Sequence, residues 1–206
     1  MIQKPFVGIA GNIGVGKTTF TQLLAKKYGW DEYYESVIDN PYLSDFYSSM
    51  ERWSFNLQIY FLQHRFESQI KISNNVKGVI QDRTIYEDVQ IFARNLHDMG
   101  HMSDRDWETY KNLFKNMVRF LKEPDIIIYL KASTDTLISR IKKRNRDFEK
   151  NINPEYLHQL NTSYNNWVKN EKKLNILTIE TDNFNVFKDL DQLNATYEII
   201  ENSIDG

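Results

Sequence analysis

The run GIAGNIGVGKTTF at 8–20 constrains this chain more than any other stretch. It follows the apolar segment Phe6-Val7-Gly8-Ile9-Ala10, and after it Phe20, Leu23 and Leu24 recur at helical spacing. A strand must therefore run into a glycine-rich loop, and the loop into a helix. Gly11, Gly14 and Gly16 let the backbone curl so that successive N–H groups face one anion, and the helix N-terminus adds its dipole. Gly11, four residues, then Gly16-Lys17-Thr18 is the spacing of a phosphate-binding loop. In such a loop Lys17 offers a charge to the β- and γ-phosphates and Thr18 a hydroxyl to Mg²⁺. The expected ligand is a nucleoside triphosphate, and the loop leaves the acceptor open.

The other apolar runs set the architecture. Segments 6–10, 78–81, 125–130 and 175–180 are too short for helices and lack alternation, as strands covered on both faces do. A weaker candidate is EYYE at 32–35. Helical spacing recurs between them, at 52–74 (Phe55, Ile59, Leu62, Phe66, Ile70) and at 105–121 (Trp107, Tyr110, Leu113, Phe114, Met117, Leu121). Strands alternating with helices predict an α/β fold of three layers, a central parallel sheet of about five strands flanked by helices. Ligands then sit at the carboxyl ends of the strands. No repeat or linker divides the chain, so a single domain is expected over 1–206.

Composition excludes several classes. A net charge of −2 over 206 residues argues against a nucleic acid polymer as partner. The absence of cysteine removes disulfides and thiolate metal sites, and fits a cytoplasmic chain. No apolar run approaches the ~20 residues of a membrane span. The start, Met-Ile-Gln-Lys before the first strand, leaves no room for a signal peptide.

Further polar residues stand at strand ends and on helices. Asp82 closes the apolar run at 78–81, where a carboxylate can organise a Mg²⁺ shell, and Arg83 follows it. Asp88 and Phe92 then share a helical face. Glu35 ends the 32–35 segment, a position from which a carboxylate can take the proton of an attacking hydroxyl. Gln58 and Arg65 lie on one stripe of helix 52–74, about 10 Å apart at ~1.5 Å per residue. Between Ser139 and Asn151, Arg140, Lys142, Lys143, Arg144 and Arg146 concentrate cations that can fold over a triphosphate. His97, Asp98, His101 and Asp104 surround Gly100 and read as a loop.

Together these residues resemble the deoxyribonucleoside kinase family, in its deoxycytidine, deoxyguanosine and bacterial deoxyadenosine kinase branch. The resemblance rests on GNIGVGKTT, the glutamate of YES, DRTIYED, the arginine-rich RIKKRNRDFE and the helix ERWSFNLQIYF. It implies the P-loop kinase fold, with a short lid at about 140–151. It implies a donor site of Gly11, Asn12, Ile13, Gly14, Val15, Gly16, Lys17, Thr18 and Thr19, with Arg140, Arg144 and Arg146 from the lid. It casts Glu35 as general base for the deoxyribose 5′-hydroxyl, with Arg83 and Lys17 as its catalytic companions. Tyr47 and Glu149 match the pair that holds the sugar 3′-hydroxyl. Gln58 matches the reader of the base edge, Phe92 the ring stacked on the base, and Leu57 a further substrate contact. Arg65 and Asp88 match a charged pair near the far edge of the base. Thr18 and Asp82 are the expected Mg²⁺ residues. Two departures are visible: Ser36 stands where proline often follows the glutamate, and Asp82 replaces a glutamate of some members.

The resemblance implies ATP-dependent phosphorylation of a deoxynucleoside in nucleotide salvage, deoxyadenosine first, with deoxyguanosine and deoxycytidine also open. It implies Mg²⁺ as cofactor, a deoxynucleoside triphosphate as feedback inhibitor, and a homodimer through helices such as 52–74 and 105–121. A nucleoside monophosphate kinase of thymidylate kinase type shares loop, lid and fold, and would need cations placed for the acceptor's own phosphate. A nucleotide-binding switch is the reading from a different class; the Asn-Lys-x-Asp element of guanine-specific switches is not in the sequence.

Overall fold

The short apolar runs become parallel strands in the computed structural model, which describes residues 4–34, 40–146, 149, 152–186 and 188–205. They are β1 (Phe6–Ala10), β2 (Asp31–Tyr33), β3 (Val79–Asp82), β4 (Ile126–Lys131) and β5 (Ile176–Glu180), in the order β2-β3-β1-β4-β5. β1 is central, with Val7 opposite Ile80 on one side and Ile126 on the other. Around the sheet lie α1 (Lys17–Tyr28), α2 (Leu43–Ser48), α3 (Met50–Ser73), α4 (Ile85–Glu87), α5 (Arg94–Asp98), α6 (Asp104–Met117), α7 (Thr134–Arg144), α8 (Pro154–Asn170) and α9 (Leu190–Asp205). The α/β architecture is the expected one.

Side chains alternate across a strand, and here both faces are covered by helices. Ile126, Ile128 and Leu130 join Phe20 and Leu24 of α1, Leu137 of α7 and Ile200 of α9 in one apolar cluster. Ile127 and Tyr129 point the other way, to Leu57 and Leu62 of α3, Tyr110 of α6 and Leu160 and Tyr164 of α8. That is why β1, β3 and most of β4 read as unbroken apolar runs. β5 differs from the expectation of double burial: it and β2, the two edge strands, are half-buried to exposed along their length.

The segment after β3 also departs from the single helix expected there. It is α4, then one π-helical turn over Asp88–Ala93, then α5. A π turn is wider than an α turn and occurs often at functional sites; here Asp88 and Phe92 both reach the same cavity. His97 and Asp98 close α5 rather than standing in a loop. The His97 ring, stacked on Trp107 at 5.6 Å, bridges Asp98 (3.3 Å) and Asp104 (2.8 Å). Among the described residues no helix is long and apolar enough to cross a membrane.

Candidate active site

The phosphate loop joins β1 to α1 at the middle of the sheet, between the strands that follow it in sequence on either side. Chain reversal at that point leaves a crevice at the carboxyl ends of the strands. Gly11, Gly14 and Gly16 have φ of 146°, 85° and 107°. At Gly11 the requirement is also spatial, since a Cβ there would stand 2.6 Å from the Leu130 carbonyl oxygen. Lys17 opens α1 and donates from Nζ to the carbonyls of Gly11 (2.9 Å) and Asn12 (3.1 Å). The Asn12 side chain turns away from the loop's concave face: its Nδ2 donates to Leu157 O (2.9 Å) and Asn161 Oδ1 (2.7 Å) on α8.

Asp82 meets the loop at the end of β3. The Thr18 hydroxyl donates to Asp82 Oδ2 at 2.6 Å, while buried Asp82 Oδ1 accepts no hydrogen bond. A hydroxyl and a carboxylate oxygen lacking a donor, side by side next to a lysine, form an oxygen donor set suited to Mg²⁺. Arg83 comes next with φ of 70°, the left-handed region that a side chain disfavours. The sheet enforces it: Arg83 N–H donates to Ile9 O at 2.9 Å, and the guanidinium lies over the Phe92 ring, 4.0 Å from its centroid.

Two cavities meet at this loop. The first, about 370 Å³, is lined by Ile13, Gly14, Lys17 and Thr18 of the loop, by Asp82, Arg83, Asp88 and Phe92, and by Tyr47, Leu57, Gln58 and Glu149. Gln58 is buried and its Oε1 accepts no hydrogen bond. Arg65, one stripe along α3, does not line the cavity. It lies beneath it, where Nε and Nη2 donate to the two Asp88 oxygens (3.0 and 3.3 Å) and Nη1 donates to the carbonyls of Asp82 (3.2 Å) and Arg83 (2.9 Å). The stripe expected from spacing is real, and it faces the protein interior. The second cavity, about 730 Å³, opens on the other side of Gly14, Val15, Gly16, Lys17, Thr18 and Thr19 and is bounded by Arg140 and 181–186.

Arg144 and Arg146 border both cavities. Arg144 is paired with Glu149 through Nη2 (2.5 Å) and Nε (3.2 Å), and Arg146 stands 3.7 Å from the other Glu149 oxygen. Arg140 instead donates to Val15 O at 2.9 Å and to both oxygens of Thr181. Glu35, the proposed base, lies outside the described residues, as do 36–39, 147, 148, 150 and 151 of the neighbouring loop and lid.

Several side chains escaped the sequence reading. Gln22, Tyr34, Leu43, Phe46, Phe61 and Tyr156 also line the first cavity. Burial pushes the Tyr156 phenol above its usual range, so it is present there as a neutral hydroxyl. Residues 181–186 follow β5, and a polar turn at the carboxyl end of a parallel strand was a usable signal. Glu87 is fully buried behind the loop; the spacing Thr84-x-x-Glu87 announces the capping box it forms.

Residues 7–204 match the family model for deoxynucleoside kinase. A deoxyadenosine/deoxycytidine kinase of Bacillus subtilis is 39% identical over 189 residues, 91% of this chain and 87% of that one. A deoxyadenosine kinase of Dictyostelium discoideum is 42% identical, covering 93% of this chain and 77% of its relative. Among solved structures, deoxyadenosine kinase of M. mycoides with bound dATP superposes with a TM-score of 0.82 at 32% identity, over 94% of this chain and 99% of that one. The same enzyme with bound dCTP gives the same TM-score.

Proposed function

The chain belongs to the deoxynucleoside kinase family, and on that footing we propose that it transfers the γ-phosphate of ATP to the 5′-hydroxyl of deoxyadenosine before other deoxynucleosides. Deoxynucleoside kinases are ATP-dependent phosphotransferases, so the open points are base preference and residue roles. The observation that carries our reading is the meeting of two cavities at one phosphate loop. Phosphoryl transfer asks mainly for positioning and charge stabilisation. The larger cavity holds the donor, with Lys17 and the lid arginines on its phosphates. The smaller one takes the acceptor, with its base between Gln58 and Phe92 and its sugar 3′-hydroxyl at Tyr47 and Glu149. Glu35 draws the 5′-hydroxyl proton, and Arg83 stands beside the phosphate. Thr18 and Asp82 hold Mg²⁺, which when bound neutralises charge on the triphosphate.

Gln58 supports the preference for deoxyadenosine over thymidine. Its amide offers a donor and an acceptor side by side, and adenine presents an amino group next to a ring nitrogen that accepts both. Thymine has no amino group to give to Oε1. Cytosine offers Gln58 the same pair, its amino group beside a ring nitrogen, and guanine carries its amino group elsewhere; both remain as further substrates. The relatives named for deoxyadenosine kinase activity point the same way.

The test is a panel of the four deoxynucleosides and their monophosphates with ATP and Mg²⁺. Deoxyadenosine should give the highest kcat/KM, with thymidine lowest; turnover of monophosphates in preference to nucleosides would replace our reading by one of thymidylate kinase type. A deoxynucleoside triphosphate should inhibit by spanning both cavities, its base at Gln58 and its phosphates in the loop, where charge-assisted hydrogen bonds hold it. The M. mycoides complexes with dATP and dCTP support this. dATP should therefore compete with deoxyadenosine and with ATP alike, and noncompetitive inhibition against both would place it elsewhere. We also place the protein in the cytoplasm, as a homodimer. Ile70 on α3, Leu113 on α6 and Phe120 just beyond α6 are exposed apolar side chains suited to a partner copy.

A further inference from the structure

We propose that Glu87 and Tyr164 are positioning residues for the phosphate donor, acting through Gly11, and that Glu87 does so as a neutral carboxylic acid. The proposal builds on the kinase reading and adds two residues that touch neither cavity.

Both side chains are fully buried, Glu87 at the end of α4 and Tyr164 on α8. Glu87 Oε1 accepts the Thr84 N–H at 3.0 Å, and Oε2 accepts the Gly11 N–H at 3.1 Å. The Tyr164 hydroxyl oxygen lies 2.7 Å from Glu87 Oε2 and 2.9 Å from the Gly11 carbonyl oxygen. Two oxygen–oxygen contacts at hydrogen-bond distance need two protons, and the tyrosine supplies one. A proton on Glu87 Oε2 supplies the other. The ring then closes with every contact filled: Gly11 N–H to Glu87 Oε2, Glu87 O–H to Tyr164, and Tyr164 O–H to Gly11 O. With Glu87 ionised, the single Tyr164 proton would have to serve two acceptors, and one of the two short oxygen–oxygen contacts would be left without a proton in a buried site, which is costly.

The surroundings agree. Removal from water raises the Glu87 pKa and outweighs Arg83 and Lys17, whose charges act in the opposite direction, as do the bonds from Tyr164 and Thr84. The Tyr129 ring, stacked on Tyr164 at 5.3 Å, adds an uncharged face. A neutral acid also suits the task. It adds no negative charge behind a loop that must receive a triphosphate.

Gly11 O accepts from both Tyr164 and Lys17. Lys17 can therefore turn toward the phosphates while Tyr164 keeps that carbonyl paired, and the loop holds its shape. α8 reinforces the hold through Asn161, which accepts from Asn12 and donates to Ala132 O at 3.0 Å.

Tyr164→Phe keeps the ring and removes only the hydroxyl. It should raise the KM for ATP roughly five- to tenfold, the scale of one lost buried hydrogen bond, and leave the KM for deoxyadenosine within about twofold. Infrared spectra at neutral pH should show a protonated-carboxyl C=O band that Glu87→Gln lacks. The same band should shift in Tyr164→Phe, where the acid loses its acceptor. Equal rises in both KM values, wild-type and Glu87→Gln spectra that coincide, or a band unmoved in Tyr164→Phe would each overturn the proposal. Should Glu87→Gln fail to fold, Tyr164→Phe still carries both readouts. Turnover of deoxyadenosine by the wild type decides the kinase reading separately.

Discussion

Arg65→Met should lower the stability of the fold by about 3–5 kcal/mol, the cost of breaking a buried ion pair from one side. Arg65 and Asp88 are 4% and 3% exposed, and the guanidinium also serves the carbonyls of Asp82 and Arg83. Its loss leaves a buried carboxylate without its counter-charge and two carbonyls without their donor. In a chain of this length that is a drop in Tm of roughly 6–20 °C, measurable by thermal unfolding. The double variant Arg65→Met/Asp88→Ala should unfold at a higher temperature than Arg65→Met, because the unpaired charge goes with its partner. It should also raise kcat/KM for thymidine relative to deoxyadenosine, since Arg65 fixes the orientation of Asp88 at the cavity wall. A single variant within 1 kcal/mol of wild type, on the scale of exposed pairs, would mean that water reaches this pair; an unchanged ranking of the deoxynucleosides would remove it from base selection.

Glu35→Gln should bind deoxyadenosine and ATP much as the wild type does, yet turn over roughly 10²–10⁴ times more slowly, the scale of a lost general base. The amide keeps the shape and hydrogen bonds to the 5′-hydroxyl but cannot take its proton. Our assignment comes from the strand-end carboxylate and the family resemblance, so kinetics are the direct check. In the wild type, kcat/KM should rise with pH until the base is ionised and then level off; in Glu35→Gln that rise should vanish. A variant with near wild-type kcat would transfer the role to another group, Asp82 being a described carboxylate at the cavity wall beside Thr18.

The resemblance had already grouped Gln58, Arg65 and Asp88 near the base, but spacing left two different outcomes for the α3 stripe. Seven residues put Gln58 and Arg65 on one face, and a face can look to solvent or to the interior with equal periodicity. Packing of α3 against the π turn decides it, placing Gln58 in the cavity wall and Arg65 under the floor. The π turn itself was not legible, because no residue in DVQIFA demands five-residue hydrogen bonding. The direction of the Asn12 side chain was likewise set by α8, whose Leu157 and Asn161 come from a segment far along the chain.

What the sequence by itself determined is local: a glycine-rich turn between a strand and a helix, apolar runs too short for helices, and the residue types that phosphate and Mg²⁺ require. These are readable because each depends on neighbours within a few positions, through backbone freedom, side-chain period or charge. Tertiary structure decided what depends on groups distant in sequence. It brought Thr18 to Asp82, laid Arg83 over Phe92, and closed a ring of Gly11, Glu87 and Tyr164 across 153 positions of the chain. Such contacts arise from the order of strands in the sheet and the helices stacked on it, and burial then makes each unpaired polar atom costly enough to choose its partner.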